Sequence, residues 1–127
     1  MDRVSVSTES APAAIGPYSQ GMRAGDLLFC SGQVPLEPSS GELVKEDIEG
    51  QTRQCLENLS AVAEAAGGSL ANAVRCTVYL TDMGDFARVN EVYAEFFGGD
   101  DPPARVAVAV AGLPKGADVE IDAIVLL

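Results

Sequence analysis

Two charged residues stand where the surrounding pattern has no charge. Arg105 opens the run RVAVAVA directly after Pro102, Pro103 and Ala104. The prolines restrict the approach of the chain, and a guanidinium held there offers a rigid planar fork that fits a carboxylate bidentately. An arginine lying over a sheet edge, or paired with an acid, satisfies the same pattern. Glu120 is a lone acid between Val119 and Ile121 in VEIDAIVLL. If its strand lies next to the Arg105 strand, the two side chains approach at one end of the sheet. A carboxyl partly withdrawn from water there gains a raised pKa and can shuttle a proton. Asp122, at the next position on the same face, equally supports a solvent-facing polar side.

Other residues offer binding rather than acid–base chemistry. Tyr18 follows Gly16 and Pro17 in a stiff loop, where it closes over a small ligand or simply anchors the loop. Ser31, Gly32 and Gln33 end the run LLFCSGQ, and a glycine there permits close approach of a ligand or another backbone, or marks a strand end. Asn90 sits beside the apolar stripe of a helix, where an asparagine braces a loop or is solvated. Cys30, Cys55 and Cys76 form no CxxC pair and read as buried, reduced thiols. Asn58, Leu59 and Ser60 match the glycosylation triplet but fall inside a helix.

Composition removes whole classes of chemistry. The 127 residues contain no histidine, the commonest general base and metal ligand, so His-dependent nucleophiles and most zinc sites are excluded. Eight Lys and Arg against nineteen Asp and Glu give a net charge of −11, which repels phosphate backbones and argues against nucleic-acid binding. The start MDRVSVSTES has no apolar run for a signal peptide, and no stretch is long enough to span a membrane, so a cytoplasmic protein is expected. An acidic surface must still attract any small anionic substrate through a local cation. Arg105 is the only positive residue between Arg88 and Lys115.

The elements that must position these residues read as one domain over 1–127, with no repeat or linker. Arg3 to Ser7 alternates as a half-buried strand, and 20–23 with 27–31 flank a Gly-Asp turn as a hairpin. Asp47 caps a helix over 48–66 with a stripe of Ile48, Thr52, Cys55, Leu59, Val62 and Ala66, ended by Gly67 and Gly68. Residues 74–80 form a strand. A second helix begins at Asp82 or Asp85 and runs to Phe97, with Phe86, Val89, Tyr93 and Phe96 on one face. The run 105–111, apolar on both sides, belongs inside a sheet, and 119–127 forms the last strand. The order β-β-β-α-β-α-β-β is an α+β fold, a mixed sheet with two helices on one face. Its other face is left apolar and uncovered, so oligomerisation through it is expected.

The stretches APAAIGPYSQG, LLFCSGQVP and above all PARVAVAVAGLPKGADVEI resemble the reactive intermediate deaminase family, also called Rid or YjgF, over about residues 3–126. The resemblance implies a chorismate-mutase-like subunit in a homotrimer with ligand clefts between neighbours. It implies cofactor-independent hydrolysis of small enamine and imine acids, such as 2-aminoacrylate and 2-iminobutanoate, to 2-keto acids and ammonia. By motif position, Arg105 holds the substrate carboxylate, Glu120 handles water and protons, and Tyr18, Ser31, Gly32 and Asn90 line the cleft. Many members of the deaminase branch carry a cysteine where this chain has Ala107. An imine is already electrophilic, so its hydrolysis needs no protein nucleophile, and the backbone at residue 107 can still contact the ligand. The rival readings are a non-catalytic, ligand-sensing or chaperone-like trimer using the same clefts, and a ribonuclease, which the charge disfavours.

Overall fold

The computed structural model describes residues 2–127. The chain runs β1 (Arg3–Val6), β2 (Gly21–Ala24), β3 (Leu27–Gln33), α1 (Ile48–Ala65), β4 (Ala73–Leu80), α2 (Phe86–Phe97), β5 (Ala104–Ala109) and β6 (Val119–Leu126), with short helical turns between some of them. The six strands form one sheet in the order β1-β2-β3-β6-β4-β5. All neighbours are antiparallel except β4 and β5, which run parallel. The expected α+β class and element order are those observed.

Alternation along the central strands decides which face the helices cover. Leu28 and Cys30, then Val119, Ile121, Ala123 and Val125, then Cys76, Val78 and Leu80 are buried beneath α1 and α2. Each fully buried Leu or Val contributes roughly 2 kcal/mol of transfer free energy. From α1, Cys55, Leu56, Leu59 and Val62 meet them, and from α2 come Val89, Val92, Tyr93 and Phe97. The buried stripe of α2 is therefore turned slightly from the expected one: Phe86 and Phe96 are only partly buried against the core. At 3.6 residues per turn both stripes are compatible with the pattern, and contact with α1 as well as the sheet selects the observed one.

Local signals fix the helix ends. Asp47 accepts a hydrogen bond from the Gly50 N–H at 2.9 Å, and Gly67 leaves α1 at φ +84°. Asn58 is buried and donates to the Leu36 carbonyl at 3.0 Å, so it ties the loop after β3 to α1.

One expectation is overturned. β5, apolar on both sides, lies at the sheet edge and not inside it. Valines pointing to the open face and alanines to the helix face fit an edge strand whose outer side awaits cover. That open face exposes Phe29 at 44%, Leu126 at 49%, Val106 at 39% and Val108 at 37%.

Candidate active site

Arg105 follows its two prolines onto the first turn of the β5 edge, opposite Cys76 of β4. Cys76 faces the helices, so Arg105 does too. One guanidinium nitrogen donates to Asn90 Oδ1 of α2 at 2.7 Å. Its central carbon lies 5.1 Å from the Phe86 ring centroid and 4.8 Å from that of Tyr93. Stacking on two rings with one edge hydrogen-bonded fixes the plane of the fork. No described acid forms an ion pair with Arg105, unlike Arg53 and Arg88, which pair with Glu95 and Glu49. It lines a groove together with Asn90, Tyr93, Phe97, Pro102 and Pro103. The Tyr93 ring is anchored below, against Phe97 at 4.6 Å between centroids.

Glu120 occupies a different place. It pairs with Tyr79 of β4, on the face away from the helices. It lines a cavity of about 520 Å³ together with Tyr18, Ser31, Gly32, Ile15, Leu36 and Lys115. Burial, reinforced by the negative charge of Asp122, raises the Glu120 pKa above its ordinary value. A β-carbon at Gly32 would collide with the Glu120 carboxylate, so glycine is what lets the acid lie where it does. The register of β3 against β6 shifts between Cys30 and Gln33, and this irregularity brings Gly32 over the acid.

The loop that bears Tyr18 is built from hydrogen bonds that the sequence alone did not reveal. Ser31 Oγ donates to the Ser19 carbonyl at 2.6 Å, so this hydroxyl serves to hold the loop. The Tyr18 hydroxyl accepts from the Ile15 N–H at 3.2 Å and closes the loop on itself. Buried Gln20 accepts from the Thr8 N–H at 2.6 Å and donates to the Pro12 carbonyl at 2.7 Å. Asp122 is also more than a solvated acid: the Thr77 N–H and the Tyr79 hydroxyl each donate to it at 3.0 Å. Sequence reading missed Gln20, Tyr79 and the Phe86–Tyr93 platform, because their roles depend on partners 8 to 43 residues away.

Arg105 and Glu120 do not meet within one subunit. β4 separates their strands, so the condition under which the two side chains would approach at one end of the sheet is not met. Arg105 stands opposite Cys76 and Glu120 opposite Tyr79, so they differ by about 10 Å across the strands and about 10 Å along them. They also open onto opposite faces of the sheet. Ala107 is half-buried on the Arg105 side, opposite Val78. Asn90 thus joins Arg105 in one half-site, while Tyr18, Ser31 and Gly32 join Glu120 in another.

The three cysteines are all buried and free. Burial pushes the Cys30 thiol up to about 12 and the Cys76 thiol up to about 11, so neither is a ready nucleophile at neutral pH. Among the described residues no group of three or more His, Cys, Asp and Glu is arranged to hold a metal ion, and no helix is long and apolar enough to cross a membrane.

Comparison with known proteins agrees with this architecture. Residues 8–127 match the family model described as endoribonuclease L-PSP. A RutC family protein of Pyrococcus horikoshii is 58% identical, with 94% of each chain covered. A 2-iminobutanoate/2-iminopropanoate deaminase of Mus musculus is 50% identical over 94% of this chain and 87% of its own length. The crystal structure of E. coli TdcF with bound serine superposes with a TM-score of 0.92 at 44% identity, covering 98% of both chains. The chain belongs to the Rid/YjgF family, whose model carries the endoribonuclease L-PSP description.

Proposed function

We propose that this protein hydrolyses small 2-imino and enamine acids to 2-keto acids and ammonia, without a cofactor, in clefts between the subunits of a homotrimer. The observation that carries this reading is the division of Arg105 and Glu120 between opposite faces of one sheet. Each lines an open concavity from which the other is absent, so a cleft holding both needs a second copy of the chain. The exposed Val106, Val108, Phe29 and Leu126 supply apolar area for such an interface. The mouse relative named as a 2-iminobutanoate/2-iminopropanoate deaminase supports the reaction.

Arg105 of one subunit holds the substrate carboxylate bidentately and so fixes C2. An enamine first takes a proton at C3 to become the iminium, the form that an imine reaches by taking a proton from solvent at nitrogen. Water then attacks C2 while the Glu120 carboxylate of the neighbour accepts a proton from it. That proton passes to nitrogen, the C–N bond breaks with its electron pair leaving on ammonia, and the hydroxyl proton goes to solvent as the keto group forms. The raised pKa of Glu120 suits a group that both takes and returns a proton. No thiol at residue 107 is required.

The test is complementation. Arg105→Ala and Glu120→Gln are each expected to lose 2-iminobutanoate hydrolysis, measured as ammonia release. Mixed trimers refolded from equal amounts of both should regain about a quarter of the parental activity, because that fraction of clefts pairs an intact arginine with an intact glutamate. No recovery would place both residues in one subunit's site and sink the proposal. A second reading, a non-catalytic module that binds small amino or keto acids, is favoured by Ala107 and by serine bound in TdcF. Ammonia release by the parent excludes it. Net charge −11 and the lack of histidine argue against RNA as substrate.

A further inference from the structure

We infer that Lys115 forms a second anion-binding point in the Glu120 pocket, so the site accepts imino and keto acids whose side chain carries its own carboxylate. The inference rests on the deaminase reading for its substrates but not for its binding chemistry.

Lys115 is the only described non-glycine residue with positive φ, at +62°, and Gly116 follows at +73°. Lysine is disfavoured in this left-handed region, and such outliers persist where the surroundings over-determine them. The surroundings here are specific. Pro114 precedes Lys115, and its carbonyl accepts from the Ala117 N–H at 3.2 Å. Ala117 is buried. Gln51 of α1 then clamps Asp118 from both sides, donating to its carboxylate at 3.0 Å and accepting from its N–H at 3.2 Å. The turn is thus held from behind and presents Lys115 to the cavity that Tyr18 and Glu120 line.

Lys115 pairs with no described acid, although the chain has nineteen Asp and Glu. Tyr18, Ser31 and Gln33 add neutral polar groups to the lining and Pro12, Ile15, Val34 and Leu36 are apolar, so Lys115 is the one cation among the described residues of this cavity. With Arg105 of a neighbour committed to the α-carboxylate, a second cation in the cavity lining complements a second carboxylate on the substrate side chain.

The experiment compares kcat/KM for the imine of glutamate with that for 2-iminobutanoate, each generated in the assay by an amino-acid oxidase. The ratio should fall about tenfold in Lys115→Met, which removes the charge at constant length, and stay within about threefold of the parent in Lys115→Arg. Lys115→Gly, which suits the left-handed backbone, should lower the ratio as Met does and guards against a folding defect. A ratio unchanged within about twofold in both neutral variants overturns the inference. If the parent turns over neither imine, the deaminase reading fails, and calorimetric binding of 2-oxoglutarate against 2-oxobutanoate decides the subsite. A Lys115-dependent preference for 2-oxoglutarate upholds it. Equal effects on both keto acids, or no binding of 2-oxoglutarate by the parent, overturn it.

Discussion

The Arg105 half-site and the Glu120 half-site are built on opposite principles. Arg105 is a charge on the surface whose geometry is fixed by regular elements: a hydrogen bond that it donates to Asn90 of α2 at 2.7 Å and two aromatic rings at about 5 Å. Glu120 is a charge withdrawn from water, lodged under a β-bulge and a loop, with its proton affinity raised. The first arrangement costs little stability and gives orientation. The second gives a group that exchanges protons, at the expense of folding energy. Binding chemistry and proton chemistry are thus separated both in space and in how the fold supports them.

The largest effect expected from breaking this division is at Arg105. Arg105→Ala removes a bidentate charge-assisted contact worth about 2–4 kcal/mol in a partly covered cleft, or roughly 30- to 1,000-fold in kcat/KM. Because the side chain forms no ion pair within the chain and loses only one exposed hydrogen bond and its ring stacking, the melting temperature should fall by no more than about 5 °C. A large loss of thermal stability would show that Arg105 is a structural residue lying over the sheet edge.

Gly32→Ala probes the other half by steric means. The new methyl meets the Glu120 carboxylate, so the acid or the bulge must shift. A displacement of about 1 Å at a group that handles water lowers kcat by about a hundredfold, with KM changed far less because Arg105 is untouched. A rise in KM alone would mean that the Glu120 half serves binding. Asn90→Ala is the matching change on the arginine side. It frees the guanidinium without removing it, so KM should rise about tenfold with a smaller change in kcat, measured by steady-state ammonia release.

The same contrast explains what was legible in the sequence. Strand and helix order, the Asp47 cap and the glycine after α1 are local signals, and each was readable from spacing. Arg105 and Glu120 were legible because a charge in an apolar run stands out. Their separation was not, since nothing in either run says that β4 lies between β5 and β6. Both-sided apolar character, read as a central strand, is equally the mark of an edge strand at an unfilled interface. Gln20, Tyr79, Phe86 and Tyr93 gain their roles only from partners brought by the fold, and the Lys115 backbone angle has no signature beyond its Pro-Lys-Gly setting.

The smallest effect expected concerns stability, and its sign distinguishes the two half-sites. The folded-state pKa of Glu120 lies above its ordinary value, because burial and the Asp122 charge disfavour the carboxylate. A group whose folded pKa is raised binds its proton more tightly in the folded state. Folding is therefore penalised once pH exceeds the folded pKa, and the penalty disappears as pH falls below the ordinary value near 4.5. Glu120→Gln removes the ionisation but keeps the shape. It should raise the melting temperature at pH 7 by a few degrees, and the gain should vanish when the scan is repeated near pH 4. The pH dependence isolates the charge from any packing change, which would persist at both pH values. A gain of the same size at pH 4, or a loss at pH 7, would mean that the carboxylate is held by favourable contacts in the fold and is not the strained proton carrier assigned to it.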